Sequence, residues 1–262
     1  PSQGGSGIVA TELALSLADR GHDVHLISYA QPLRLASYAY QSDLTFHEVS
    51  TPAYPLFNYP PYSTALTSKM VQVIDDHGLD VLHAHYAIPH ALAAYLAKQM
   101  VGEDNIQIVT TLHGTDITLV GQEEAYFKPT SFALQRSDGL TAVSKFLADE
   151  THAVFELPTH NIAVIPNFVD RNRFQPLPEA RRQEIKRCFT KNGDFVMMHL
   201  SNFRPVKRSL DTIEVLARVR REIPSAKLVL IGEGPDLREC KARAQKYGVE
   251  DGLVLLGQQV RV

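Results

Sequence analysis

Residues 106–116 read IQIVTTLHGTD, a β-branched, uncharged run that breaks into a polar His-Gly-Thr-Asp turn. A run without charge suits a strand covered on both faces, as in a parallel sheet crossed over by helices. Working outward, the same shape recurs on both sides. Strands are expected at 24–28, 81–83, 106–111, 140–143, 162–165, 195–200, 227–231 and 253–256. Amphipathic helices are expected between them at 8–20, 65–76, 91–100, 144–155, 209–222 and 236–247. Within 8–20, Val9, Leu13 and Leu17 share one face, and Gly21 follows as a residue that tolerates the left-handed conformation after a helix. Strand and helix alternate along the whole length, which predicts an α/β fold with parallel sheets.

The stretch 166–179 holds three prolines and little periodicity, so it reads as the crossing between two α/β units, 1–170 and 171–262. The turn Gly4-Gly5-Ser6-Gly7 has only three residues ahead of it, where a phosphate or carboxylate loop should follow a strand; a first strand is therefore expected upstream. The second unit offers three strands where a doubly wound unit usually has five or six, so much of that lobe is expected beyond Val262.

Of 262 residues, 44% are hydrophobic and 21% charged, enough to bury a core. Lys and Arg number 26 against 29 Asp and Glu, a formal net charge of -3. That balance supplies no broad basic field for nucleic acid or an anionic membrane. Cys188 and Cys240 are too few for a disulfide scaffold or a thiolate cluster, and no apolar run approaches the ~20 residues of a membrane span. A cytoplasmic protein acting on small molecules is expected, with a homo-oligomer left open.

Three constellations could carry chemistry. Gly5 and Ser6 stand at a helix start, where free N–H groups and the helix dipole favour an anion; an ordinary cap with Ser6 as N-cap is the plainer alternative. HAHYAIPH at 83–90 and TTLHGTD at 110–116 put Tyr86, Thr111 and several histidines at the carboxyl ends of strands, where open α/β sheets bind ligands. These histidines could instead be structural, or metal ligands of a hydrolase, which would need further ligands at later strand ends. SNFRPVKR at 201–208 places Arg204, Lys207 and Arg208 after another strand, suited to a diphosphate whose charge grows as its bond breaks. LVLIGEGP at 228–235 adds Gly232 and Gly234 in a tight turn. A solvated surface and a plain turn account for these last two equally well. No Asp-x-Asp occurs, so a divalent-metal diphosphate clamp is not evident, and side-chain cations with helix N-termini must neutralise any diphosphate.

Taken in order, GGSG (4–7), HGTD (113–116), Ala142-Val143-Ser144, PNFVD (166–170), the Arg/Lys loop and IGEGP (231–235) resemble the retaining glycosyltransferases of the two-lobed GT-B architecture. YPPY (59–62), HAHYAIPHA, TTLHGTDIT and SNFRPVKR resemble more closely the branch that joins N-acetylglucosamine from UDP-N-acetylglucosamine to L-malate in bacillithiol biosynthesis. The resemblance covers essentially the whole chain. It implies a first lobe for the acceptor and a second for the nucleotide. Gly5 and Ser6 would lie near the acceptor and the donor phosphates, with Tyr86 and Thr111 on the malate carboxylates. His113 would face the donor sugar, Arg204 and Lys207 the leaving diphosphate, and Asn202 and Gly234 the nucleotide side. No metal cofactor is implied. Two features depart from the pattern. Ser201-Asn202 stand where many relatives have Gly-Arg, so Arg204 offers its guanidinium from a shifted position. The family's Glu-x7-Glu segment is not among these residues. A transferase with another acceptor alcohol, a metal-dependent hydrolase built on the HAHYAIPH histidines, and a non-catalytic nucleotide-sugar binding module are the rival readings.

Overall fold

Every strand pair among the described residues is parallel. The computed structural model describes residues 5–32, 35, 44–53, 55–102, 106–157, 161–190 and 195–259. The chain divides into two units, Pro1–Val169 and Asp170–Val262.

In the first unit, β1 (Val24–Ser28) pairs with β2 (Leu44–Glu48) as a two-stranded sheet. A separate four-stranded sheet runs β3 (Val81–His85), β4 (Gln107–Leu112), β5 (Gly139–Ala142), β6 (Ile162–Val164) in that order. The helices are α1 (Gly5–Ala18), α2 (Tyr62–His77), α3 (Leu92–Val101), the one-turn α4 (Thr115–Thr118), α5 (Glu124–Gln135) and α6 (Lys145–Phe155). Side chains alternate across a strand, so Leu82 and Ala84 of β3 are buried while His83 and His85 share the opposite face. Leu82 packs with Leu66, Met70 and Ile74 of α2, with Ala93, Ala94 and Ala97 of α3, and with Ile106 and Ile108. Each large aliphatic side chain buried there is worth roughly 1.5–3 kcal/mol. A second cluster under β4 and β5 joins Leu112, Ile117, Leu134, Leu140, Leu147 and Phe155. Gly78 closes α2 at φ 65°, its N–H donating to Ile74 O at 2.7 Å. The Ser144 hydroxyl starts α6 by accepting from Leu147 N.

The second unit opens with α7 (Glu179–Arg187), which buries no side chain. A three-stranded sheet of β7 (Val196–Leu200), β8 (Lys227–Ile231) and β9 (Leu253–Gly257) follows, crossed over by α8 (Ser209–Glu222) and α9 (Leu237–Tyr247). Its core gathers Phe203, Ile213, Leu216, Leu228, Leu230 and Cys240.

Four elements were not expected. β2 is five residues of mixed character, LTFHE, and α4 is a single turn. α5 holds Pro129 inside it, which removes one helical hydrogen bond; burial of Thr130, Ala133 and Leu134 outweighs that loss. α7 is mostly polar, with its one large apolar residue, Ile185, exposed, and is laced by Arg182–Glu179 and Arg181–Glu184 pairs one turn apart. The start of α1 also differs from the plainer reading of Ser6 as N-cap: the helix begins at Gly5, which puts Ser6 inside the first turn. Gly4 lies outside the described residues.

Candidate functional site

The polar face of the four-stranded sheet converges on the carboxyl ends of β3 and β4. In the parallel register His85 stands opposite Thr111, and Thr111 opposite Thr141. His83 and His85 stack with ring centroids 4.6 Å apart, and His85 and His113 at 5.1 Å. His85 Nδ1 and His113 Nε2 share a hydrogen bond of 2.9 Å. Burial comes first, and neighbouring imidazoles second, in pushing His85 down to about 2 and His113 down to about 4. Both rings are neutral near pH 7.

Ser6 and Tyr86, 80 residues apart, are brought together: the Tyr86 hydroxyl donates to Ser6 Oγ at 2.7 Å. That bond holds the first turn of α1 against the end of β3. Tyr86 takes a φ of 88°, a conformation costly for a non-glycine residue and held here by its N–H donating to Thr111 O at 3.0 Å. Gly5 lies at the exposed start of α1, with open space where a Cβ would stand. Thr111 is buried, and its hydroxyl is bonded to His83 Nε2 and Thr141 Oγ1, each at 2.7 Å. Either partner of each bond can be the donor, so Thr111 links His83 to Thr141 in one hydrogen-bonded row.

Asp116, which the sequence reading treated only as part of a turn, organises the site. It is buried, and its carboxylate accepts from the backbone N–H groups of Ala87, His113 and Gly114. Burial pushes its pKa up, while those three donors pull the other way. The signal was present in sequence as an acid two residues after Gly114 at a helix start.

In the second unit Asn202, Arg204 and Lys207 occupy the loop from β7 to α8. Ser201 Oγ accepts from Phe203 N and lies 3.0 Å from His199 Nε2, and Phe203 is fully buried beneath the loop. Arg208 is paired with Asp211 at 2.6 Å. Among the described residues neither Arg204 nor Lys207 has an acidic partner, and both are exposed. Burial, with Lys207 beside it, pushes the His199 pKa down. Asn202 Oδ1 is buried with no hydrogen-bond donor. Gly232 and Gly234 are required by this packing: a Cβ at either would overlap the carbonyl oxygen of Ser201 or Asn202 respectively. Gly234 thus fixes the Asn202 backbone beside the loop of cations.

A cavity of about 160 Å³ in the first unit is lined by residues 25–28 of β1 and 81–85 of β3, with Ser6 and Tyr86 also lining it. Consecutive residues from both strands line it, so it runs between two strand edges. The histidines of HAHYAIPH do not form a group of three metal-ligand atoms; among the described residues that grouping is His25, His47 and His77.

Residues 3–173 match the profile of Glycosyltransferase Family 4. The chain belongs to this family. Residues 181–262 of this family 4 glycosyltransferase match a second profile, Glycosyl transferases group 1. The chain is 42% identical to the N-acetyl-alpha-D-glucosaminyl L-malate synthase of Bacillus anthracis, over all of its own length and 67% of that relative's. It is 28% identical to a GDP-mannose-dependent alpha-(1-6)-phosphatidylinositol monomannoside mannosyltransferase of Mycolicibacterium smegmatis, over 72% of this chain and 48% of the other. The chain thus spans two thirds or less of the curated relatives it matches. In structure it superposes on Anabaena HepE, solved with UDP-glucose, at a TM-score of 0.73 and 19% identity, covering 98% of this chain and 66% of that one. WaaG, a glycosyltransferase involved in lipopolysaccharide biosynthesis, gives 0.63 at 13% identity, covering 98% and 67%. The fold is that of the GT-B glycosyltransferases. Among the described residues no helix is long and apolar enough to cross a membrane.

Proposed function

We propose that this family 4 glycosyltransferase moves N-acetylglucosamine from UDP-N-acetylglucosamine to the hydroxyl of L-malate with retention, the first step of bacillithiol biosynthesis in the cytoplasm. The observation that carries this reading is the 42% identity to the Bacillus anthracis synthase across every part of the chain.

The residues of each unit suit the roles this reading gives them. The start of α1, with Ser6 fixed by Tyr86, offers N–H groups and a hydroxyl to a small carboxylate. Thr111 acts through His83. His113 faces the donor sugar as a neutral imidazole, because burial keeps it unprotonated. An imidazolium there would oppose the positive charge that develops on a sugar losing its leaving group. In the second unit Arg204 and Lys207 have charge to give to a departing diphosphate, the work a divalent ion does in other sugar transferases. Asn202, in the same loop, would lie on the nucleotide side, its Oδ1 buried without a donor.

The step balances without another reactant. The bond from the anomeric carbon to the diphosphate breaks, a bond to the malate oxygen forms on the same face, and the malate proton passes to the departing phosphate. Positioning and electrostatic stabilisation supply the catalysis. The test is mass spectrometry and anomeric analysis of the product made from UDP-N-acetylglucosamine and L-malate, using the protein extended to the length of its relatives. An α-linked N-acetylglucosaminyl malate is the expected product. Faster transfer to a different hydroxy acid, or release of free sugar alone, would overturn the reading.

A further inference from the structure

The geometry points to a transition-metal site of the zinc type, held by His25 on β1, His47 on β2 and His77 at the end of α2. One ring nitrogen from each comes within 4.8 Å of the other two. The ring centroids lie 4.1 Å (His25–His77), 5.1 Å (His25–His47) and 5.7 Å (His47–His77) apart. Tetrahedral zinc at about 2.0–2.1 Å from each nitrogen separates its ligands by about 3.4 Å. His25 Nδ1 and His47 Nε2 share a hydrogen bond of 2.8 Å, so a metal between them would replace its proton and open the pair only slightly. His77 is exposed at its helix terminus.

The far side of His25 is the second observation. Its side chain is only 2% exposed, and Asp23 Oδ1 lies 3.1 Å from its Nε2. That contact lacks hydrogen-bond geometry, which leaves Nε2 buried and unpartnered. An N–H at Nε2 turned toward Asp23 leaves the Nδ1 lone pair facing His47. This is the tautomer a metal requires, with a carboxylate behind the ligand.

Such a site would serve as a clip. The β1–β2 sheet has no hydrogen-bonded strand in common with the β3–β6 sheet among the described residues. A metal shared by β1, β2 and α2 would tie the smaller sheet to a helix that packs in the core of the larger one. It takes no part in the transfer chemistry.

Cobalt(II) titration of the chain, free of any histidine tag, tests the proposal. One equivalent should bind with the visible bands of tetrahedral cobalt, zinc should displace it, and the melting temperature should rise. His47→Gln and His77→Gln should each weaken binding by at least about tenfold, the lower end of what even a supporting group contributes to a metal site. His77 is exposed, so its variant tests the ligand without disturbing the core. His152→Gln, on α6, should bind as the parent does. Less than one equivalent bound, or equal affinity in the parent and both ligand variants, would overturn the site.

Discussion

Lys207 and Arg204 carry charges that no acidic side chain among the described residues neutralises, whereas Arg208 beside them is paired with Asp211. Loss of a preorganised donor at a leaving group costs on the order of 3 kcal/mol of barrier. Lys207→Ala, in the protein extended to its relatives' length, should therefore lower kcat about a hundredfold. The KM for malate should hardly move, and steady-state kinetics with both substrates read the two effects separately. Unchanged turnover would remove Lys207 from the diphosphate. A second prediction concerns the imidazoles. His85 and His113 have folded pKa values of about 2 and about 4, below the ordinary 6.5. Between those limits the unfolded chain binds protons that the folded chain does not, so stability is fully present above 6.5 and is lost as pH falls toward the folded values. Urea midpoints should decline through that window, and His113→Gln should flatten part of the slope. A midpoint that rose on acidification would mean that the histidines gain protons in the folded state.

At the scale of elements, the turns after β7 and β8 are one packed unit. A Cβ at Gly234 meets the Asn202 carbonyl, and backbone cannot yield as a side chain tip can. Gly234→Ala should cost about 1–3 kcal/mol, in the range of overpacking, and weaken UDP-sugar binding by displacing the loop that carries Lys207. Gly5→Ala meets nothing within 4 Å and should leave the melting temperature unchanged while raising the KM of a ligand seated at α1. Differential scanning fluorimetry beside kinetics separates the two cases, and a stable, fully active Gly234→Ala would contradict the packing. The elements that were legible in sequence share a physical reason. β3, β4 and β8 are buried on a face or throughout, so their residue pattern is set by the core. α5 and α7 were not legible, because one is held by tertiary burial around Pro129 and the other buries nothing. Within the site, His85, Tyr86 and His113 announced themselves by standing at strand ends. The bonds from Thr111 to His83 and Thr141 and from Ala87 to Asp116 span 28, 30 and 29 residues, which no local pattern encodes, whereas the turn from Asp116 back to Gly114 is local. The His25, His47 and His77 grouping was equally hidden, since three separate elements supply it.

On the scale of the whole first unit, no ladder joins β1 to β3 among the described residues. The cavity there is bordered by the edges of both strands and by Leu66 and Met70 of α2. The first turn of α1 is held at the carboxyl end of β3 by the Tyr86–Ser6 bond. A strand arriving at the start of α1 would run parallel to both β1 and β3, as a right-handed crossover demands. Unpaired strand edges leave N–H and C=O groups without ladder partners, a cost that a strand in the slot would relieve while burying its own apolar side chains. A chain extended ahead of Pro1 by an apolar strand of about five residues, the usual strand length, should melt higher. Its amides at 25–28 and 81–85 should exchange with solvent more slowly than in the unextended chain, as native-state hydrogen exchange would show. Equal protection in both chains would mean that β1 and β3 close on each other directly, and the slot would then not be a strand position.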